Sequence, residues 1–560
     1  MNRLFAIIFA LTFCCVSSIR AQDDNHAFEM AKNLEIFSNV YRNIHTTYVD
    51  DVKPGELIKT AIDAMLAELD PYTNYYPESD IEDVKMQLLG QYGGIGALIQ
   101  QQNERIVISE PYENMPAHKA GLQAGDIIEG VNGESTKGKT SSEVTERMRG
   151  QAGTELKLTI RRGDEVFTKN LKREEIRLPN VPYYGMLPVF DSATKTKRET
   201  KIGYIKLNEF TQNVGNNVLK AFQDLKGKHH DMEGLVLDLR GNGGGLLQEA
   251  VNIVNIFVPK GEIIVRTKGK LENRNETFRT LSQPKDLKIP IVVLVDPASA
   301  SASEIVAGAL QDLDRGVIMG TRTFGKGLVQ NIIPLKYNAQ MKITVAKYYI
   351  PSGRCIQAID YSHRDNEGHP TKVPDSLKTA FKTKNGRTVY DGFGIEPNVE
   401  IAPETLSPIT ISLFTKFHVF NFAGEFSKKH PSIPNAKDFE ITDEIYNEFK
   451  DYLKDKDYTY TTATEKILER VQSTAKSEKY DQELEQAIKD IMDKIQEEKK
   501  EDLDKFRSEI QSMLKSEILS RYYFQKGRIE GLLVDDPLLA KAIELITDTK
   551  RYEGILNPRN

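Results

Sequence analysis

Hydrophobic spacing divides the chain into four stretches. Over residues 27–90 the period is helical: Ala27, Met30, Leu34, Phe37 and Tyr41 step by threes and fours, as do Ile58, Ile62, Met65 and Leu69. Asp70-Pro71 and Asn74-Tyr75-Tyr76-Pro77 then break the pattern. Residues 91–175 change to short strands. A Gly-rich loop at 93–99 enters one, 105–109 (RIVIS) is a second, and 117–130 reads as a short helix, a turn at Gly125-Asp126 and an apolar strand. Asn132-Gly133 marks a tight turn, 141–149 a helix, and 156–161 (LKLTIR) a final strand. Residues 200–400 alternate strand and helix. Two runs, 234–240 (GLVLDLR) and 289–295 (IPIVVLV), are continuously apolar, as strands buried on both faces must be. Beyond residue 405 the period is helical again, with Leu484, Ile488, Ile491 and Ile495 followed by Leu503, Phe506, Ile510, Leu514 and Ile518.

At 560 residues the chain exceeds one core. A hydrophobic share of 39% and a charged share of 28% are those of a soluble globular protein. The net charge of −6 implies no general affinity for nucleic acid. Arg3, the apolar run 4–16 and the small residues Ser17, Ser18 and Ala21 predict a secretory leader over 1–21. Loss of that leader removes Cys14 and Cys15, so Cys355 alone remains and no internal disulfide is expected. The expectation is an exported protein, periplasmic or associated with the cell envelope.

The candidate chemistry lies at 299–330. A Ser-rich turn (SASASE) precedes an apolar helix, and Lys326 follows in a loop flanked by Gly325 and Gly327. Residues 231–362 contain no histidine before position 363. A serine at a helix start with a lysine and no nearby histidine points to a Ser-Lys hydrolase, in which a neutral amine is the general base. The glycines permit the close packing that desolvates such a lysine. In 241–245 (GNGGG), a strand-to-helix turn, glycine backbone can approach a substrate carbonyl. No H-E-x-x-H or C-x-x-C occurs, so no metal site is expected.

The A-G-L-x-x-G-D-x-I pattern at 120–128 resembles a PDZ domain. That resemblance implies β-augmentation by a peptide C-terminus, whose carboxylate meets the N–H groups of Gly94, Ile95 and Gly96. With DLRGNGGG (238–245), SASASE (299–304), TFGKGLVQ (323–330), AKYYIPSGRCIQ (346–357) and DGFGIEPN (391–398), residues 30–400 resemble the C-terminal processing peptidases, or tail-specific proteases. The resemblance implies Ser301 as nucleophile, Lys326 as base and Gln330 as the residue orienting the lysine. It also implies a role for Asp312, in helix packing or in proton transfer, and Gly244 and Ala302 as oxyanion donors. It implies a multidomain α+β fold: a crotonase-like α/β core with an inserted PDZ domain and flanking helical regions. The expected limits are 1–21 leader, 22–90 helical region, 91–175 PDZ domain, 176–404 peptidase core and 405–560 helical domain. Expected partners are peptides with free apolar C-termini, an adaptor lipoprotein and a second copy of the chain; no cofactor is expected. The rival reading is a catalytically inactive PDZ-type peptide-binding scaffold or chaperone.

Overall fold

The computed structural model describes residues 26–80, 90–191, 196–403, 405–480 and 482–557. The expected leader over 1–21 lies outside these residues. The chain forms two compact units, one of residues up to 75 with 332–343, the other of 76–331 with 344–560. In the first, a helix occupies 26–47 and a second, α1 (Pro54–Ala67), starts with proline at its first position, where no N–H bond is lost.

In the second unit, the PDZ-like part begins with β1 (Gln91–Gly94), β2 (Ala97–Gln102), β3 (Arg105–Pro111) and β4 (Ile127–Val131). Then come α2 (Ser141–Met148), β5 (Glu155–Arg162), β6 (Glu165–Lys172) and β7 (Glu174–Arg177). Strands β2 to β6 form one antiparallel sheet in chain order, so β2 is an edge strand. The expectation that 156–161 ends this region is corrected: β6 pairs along the whole of β5, and β7 returns to β1. Both missed strands are mostly polar and lack the clean alternation of a half-buried strand. Helix α2 opens with a capping box between Thr140 and Glu143, and turns Val144 and Met148 onto a core with Ile106, Ile108, Leu158 and Ile160.

The catalytic-type core is a six-stranded sheet: β8 (Tyr183–Asp191), β9 (Thr196–Lys206), β10 (Gly234–Asp238), β11 (Ile291–Val295), β12 (Val317–Gly320) and β13 (Val399–Glu400). Strands β8 and β9 run antiparallel; the rest run parallel. Strand β10 joins α4 (Leu247–Asn255) through residues 239–246, and β11 joins α5 (Ala302–Asp312) through 296–301; α3 (Val214–Lys228) precedes β10. One face of the sheet packs Leu235, Leu237, Ile291 and Val293 against α3, α4 and α5. The other packs Val236, Val292 and Leu294 against Leu539, Leu545, Ile546 and Tyr552 from α12 (Pro537–Thr547) and α13 (Thr549–Leu556). The last helices of the chain therefore cover a face of the sheet. Each such leucine-sized side chain contributes about 1.5–3 kcal/mol.

Residues 405–532 form a separate helical core. It is built from α6 (Pro408–Thr415), α7 (His418–Lys429), α8 (Asp443–Leu453) and α11 (Arg507–Leu532), while α9 (Ala463–Glu478) and α10 (Gln482–Glu498) pack against each other. The link between the PDZ-like part and the core is residues 178–182, between β7 and β8.

Candidate active site

The strand β11 ends at Val295, and α5 begins at Ala302, after the turn 296–301. Ser301 sits at the joint with φ 55° and ψ −112°, a conformation rare for a residue with a Cβ. Its neighbours have structural duties. Ser299 Oγ donates to Leu239 O at 2.9 Å, and Ser303 Oγ donates to Asn242 O at 2.9 Å; both serines are fully buried. Ser301 is half-exposed. Of the three serines, it is the one whose side chain the fold does not bury.

Glu304, three residues on, is the residue that sequence reasoning passed over. Its buried carboxylate accepts Ser301 N–H (2.8 Å), Thr323 Oγ1–H (2.6 Å), Gly325 N–H (2.7 Å) and Lys326 N–H (2.9 Å). Oε2 takes both Ser301 and Lys326, which places those two amide nitrogens less than about 6 Å apart. Burial pushes the Glu304 carboxyl up to about 7, against the pull of those four donors. Tyr348 makes a second tie: its buried hydroxyl donates to Lys326 O at 2.6 Å and lies 3.1 Å from Ser301 O. The S-x-x-E spacing from Ser301 to Glu304 is a capping-box signature and was the available signal. Tyr348 had none beyond its place in the AKYYIPSGRCIQ motif.

The Gly241–Gly245 turn lies directly against Ser301. A Cβ on Gly244, at φ +99°, would meet Ala300 O at 2.6 Å and Ser301 Cβ at 2.8 Å, so only glycine fits. The Gly244 N–H donates to Asn242 Oδ1 at 2.9 Å, inside its own turn. The Ala302 N–H, at the first position of α5, finds no acceptor among the described residues, as expected of a helix start. Gln330 lies on the strand Leu328–Pro334, and its amide nitrogen donates to Thr344 Oγ1 at 3.2 Å.

Asp312 is not brought to this site. It ends α5, about 16 Å along the helix from Ser301. There it pairs with buried Arg354 at 2.9 Å and accepts Ser352 N–H at 3.0 Å. Burial pushes its carboxyl up while Arg354 pulls it down. Its place is that of a packing pair, which corrects its grouping with the catalytic residues.

In the PDZ-like part, Ile95 is buried, and its carbonyl accepts Ala117 N–H at 2.8 Å. Gly96 takes φ +70°, where a Cβ would strike Met115 Cβ at 2.4 Å. A cavity of about 150 Å³ opens between edge strand β2 and α2. Its walls include Gly94, Ile95, Ile99, Thr145, Met148 and Arg149.

Comparison with known proteins identifies the family. The Peptidase family S41 model matches residues 201–362 and the PDZ domain model 107–162. The "Probable PDZ-protease, C-terminal helical domain" model matches 409–546, and the "Activating protease CtpB N-terminal domain" model matches 14–79. The chain is 39% identical over 334 residues to the carboxy-terminal-processing protease of Bartonella bacilliformis, covering 59% of this chain and 73% of that one. It is 37% identical over 327 residues to a probable CtpA-like serine protease of Staphylococcus aureus, covering 58% of this chain and 62% of that one. A photosystem II D1 C-terminal processing protease aligns over 66% of this chain and 93% of its own, at 27% identity and a TM-score of 0.36. The chain belongs to the carboxy-terminal-processing proteases, serine peptidases of family S41 that carry a PDZ domain.

Proposed function

We propose that this serine peptidase cleaves with Ser301 as nucleophile and Lys326 as general base, on chains delivered by their free C-termini. The observation that carries the reading is Glu304, whose single carboxylate gathers the backbone of both residues. Ser301 Oγ attacks the scissile carbonyl while the neutral Lys326 amine takes its proton. The protonated lysine then returns that proton to the leaving amine, and water releases the acyl group by the same steps. Ala302 N–H is the first oxyanion donor. Gly244 is the second, once its N–H exchanges Asn242 Oδ1 for the developing charge. Gln330 orients the lysine from its strand.

Substrate tails join the free edge of β2 and run along α2, with the carboxylate at Gly94, Ile95 and Gly96. The apolar wall of Ile95, Ile99 and Met148 suits an apolar last side chain. The core is crotonase-like, and the leader directs the chain to the cell envelope. An adaptor lipoprotein and a second copy of the chain are the further partners; the exposed Leu34, Phe37 and Ile44 of helix 26–47 suit the latter. No helix among the described residues is long and apolar enough to cross a membrane.

A fluorophosphonate probe tests the chemistry. Wild-type protein is expected to be labelled at Ser301 and Lys326→Ala to resist labelling. Label on Ser299, or unchanged label in Lys326→Ala, would refute the assignment.

A further inference from the structure

The strand-end charge cluster beside the Gly241–Gly245 turn receives one member from far along the chain. Asp238, at the end of β10, is fully buried and shared by Arg240, Lys206 and Tyr204. Arg240 grips it with Nε at 3.0 Å and Nη2 at 2.7 Å. The same Nη2 donates at 2.7 Å to Asp536, the residue that starts α12. Lys206 Nζ donates to Arg240 O at 2.6 Å, and the next amide, Gly241 N–H, meets the Asp296 carboxylate at 3.0 Å. Asp296 in turn accepts Ala298 N–H and Ser299 N–H, and so reaches the Ser301 turn. A cavity of about 420 Å³ lies beside Arg240, walled by Tyr204, Asp238, Asp296, Leu532, Leu533 and Asp536. Arg240 therefore has room to turn away, and Asp536 supplies the second anion that keeps it in place.

We propose that Asp536 is a positioning residue for catalysis: it clamps Arg240, and through it aligns the glycine turn that faces Ser301. The inference rests on the reading of that turn as the oxyanion site. It gives the C-terminal helices a part in the chemistry besides covering the sheet.

Asp536 has a second duty that makes the idea testable. Its Oδ1 caps α12, accepting Leu538 N–H at 2.9 Å and Leu539 N–H at 3.2 Å, while Oδ2 faces Arg240. Asparagine caps a helix as well as aspartate does. In Asp536→Asn the oxygen keeps the cap, and the amide nitrogen sets a donor against a guanidinium that also only donates. Asp536→Ser likewise keeps a cap and loses the charge.

The experiment uses the full chain, a peptide with a free apolar C-terminus, and p-nitrophenyl acetate as a small ester. Asp536→Asn is expected to keep its melting temperature and KM, and to lose roughly 10- to 100-fold in kcat on both substrates, less than removal of an oxyanion donor. Arg240→Gln should lose at least as much, and the double variant no more than Arg240→Gln alone. Wild-type kcat in folded Asp536→Asn would overturn the proposal. So would additive losses in the double variant. A parallel fall of melting temperature and kcat in both Asp536→Asn and Asp536→Ser would also overturn it, leaving a helix cap. The underlying reading fails separately: turnover retained in Ser301→Ala sinks the nucleophile, whatever Asp536 does.

Discussion

The Ser301 turn and the joint between the PDZ-like part and helix α11 are both polar and both largely buried, yet they are built oppositely. Around Ser301 the polar groups have partners: Ser299, Ser303, Asn242, Asp296 and Glu304 each accept or donate inside the fold. At the joint, Glu110 of β3 meets Arg528 of α11 at 3.3 Å, but Glu110 Oε1 finds no hydrogen-bond partner among the described residues. Arg521 Nε and Nη1 are left the same way. Beside them Phe524 breaks the helical run at φ 54°, ψ −162°, and its ring meets His118 edge-on at 4.9 Å. Unsatisfied buried groups and local strain make an interface easy to leave. On the proposed function, the difference separates two tasks: chemistry on an over-determined turn, recognition on a domain attached by a weaker dock.

The largest expected effect strikes the rigid side. Ser301→Ala and Lys326→Ala should each lower peptide turnover by about 10⁴-fold or more, and the double variant should lose little further, because the pair acts as a unit. Steady-state rates on purified, folded variants decide it; additive losses would show two independent groups. Next comes Glu304→Gln. It leaves buried donors facing an amide, so a loss of about 2–3 kcal/mol in stability and about 10²-fold in turnover is expected. The pH dependence follows from the same carboxyl. The folded state keeps its proton up to about 7, whereas the unfolded chain releases it near 4.5. Between those values the folded state binds more protons, so stability falls as pH rises through the window. Thermal unfolding of wild type and Glu304→Gln at pH 5 and pH 8 measures this. An identical slope in both proteins would assign it to another group.

Much of the fold was legible because burial writes itself into sequence. Strands β10 and β11 have helices on both faces and read as unbroken apolar runs, and α2 was read as a helix over 141–149. Strand β8 did not, because Gly185 and Pro188 interrupt it; β6 and β7 lie at the polar margin of their sheets. In the site, the serine turn, the glycine turn and the lysine loop were each readable as motifs. Their joining was not. Glu304 reaches Gly325 and Lys326 from 21 and 22 positions away, and Asp536 reaches Arg240 from 296. No local pattern records a contact made by folding, and the same blindness grouped Asp312 with residues at the opposite end of its helix.

A smaller effect is expected on the recognition side. Amidating the C-terminus of a substrate peptide removes the charge that Gly94, Ile95 and Gly96 would receive. About a 10-fold fall in kcat/KM is expected, with hydrolysis of a small ester unaffected. Gly96→Val forces a side chain into Met115; it should abolish the preference for the free tail. Equal cleavage of free and amidated peptides by wild type would show that recognition does not run through this groove.

The smallest effect tests the dock itself. Glu110 is buried in β3, and burial pushes its carboxyl up while Arg528 pulls it down. Removing the charge without changing the shape, in Glu110→Gln, gives up one ion pair and also one desolvated carboxylate. The two nearly cancel, so global stability should move by less than about 1 kcal/mol. Turnover of a small ester should stay within about 3-fold. What should change is local opening: amides of β3 and of residues 524–531 should exchange faster with solvent, while those of α5 keep wild-type protection. Amide exchange followed by mass spectrometry reads both regions in one sample. If both are unaltered, the dock is as firmly determined as the Ser301 turn. The weak joint would then have to be sought in residues 178–182, where the chain passes from β7 to β8.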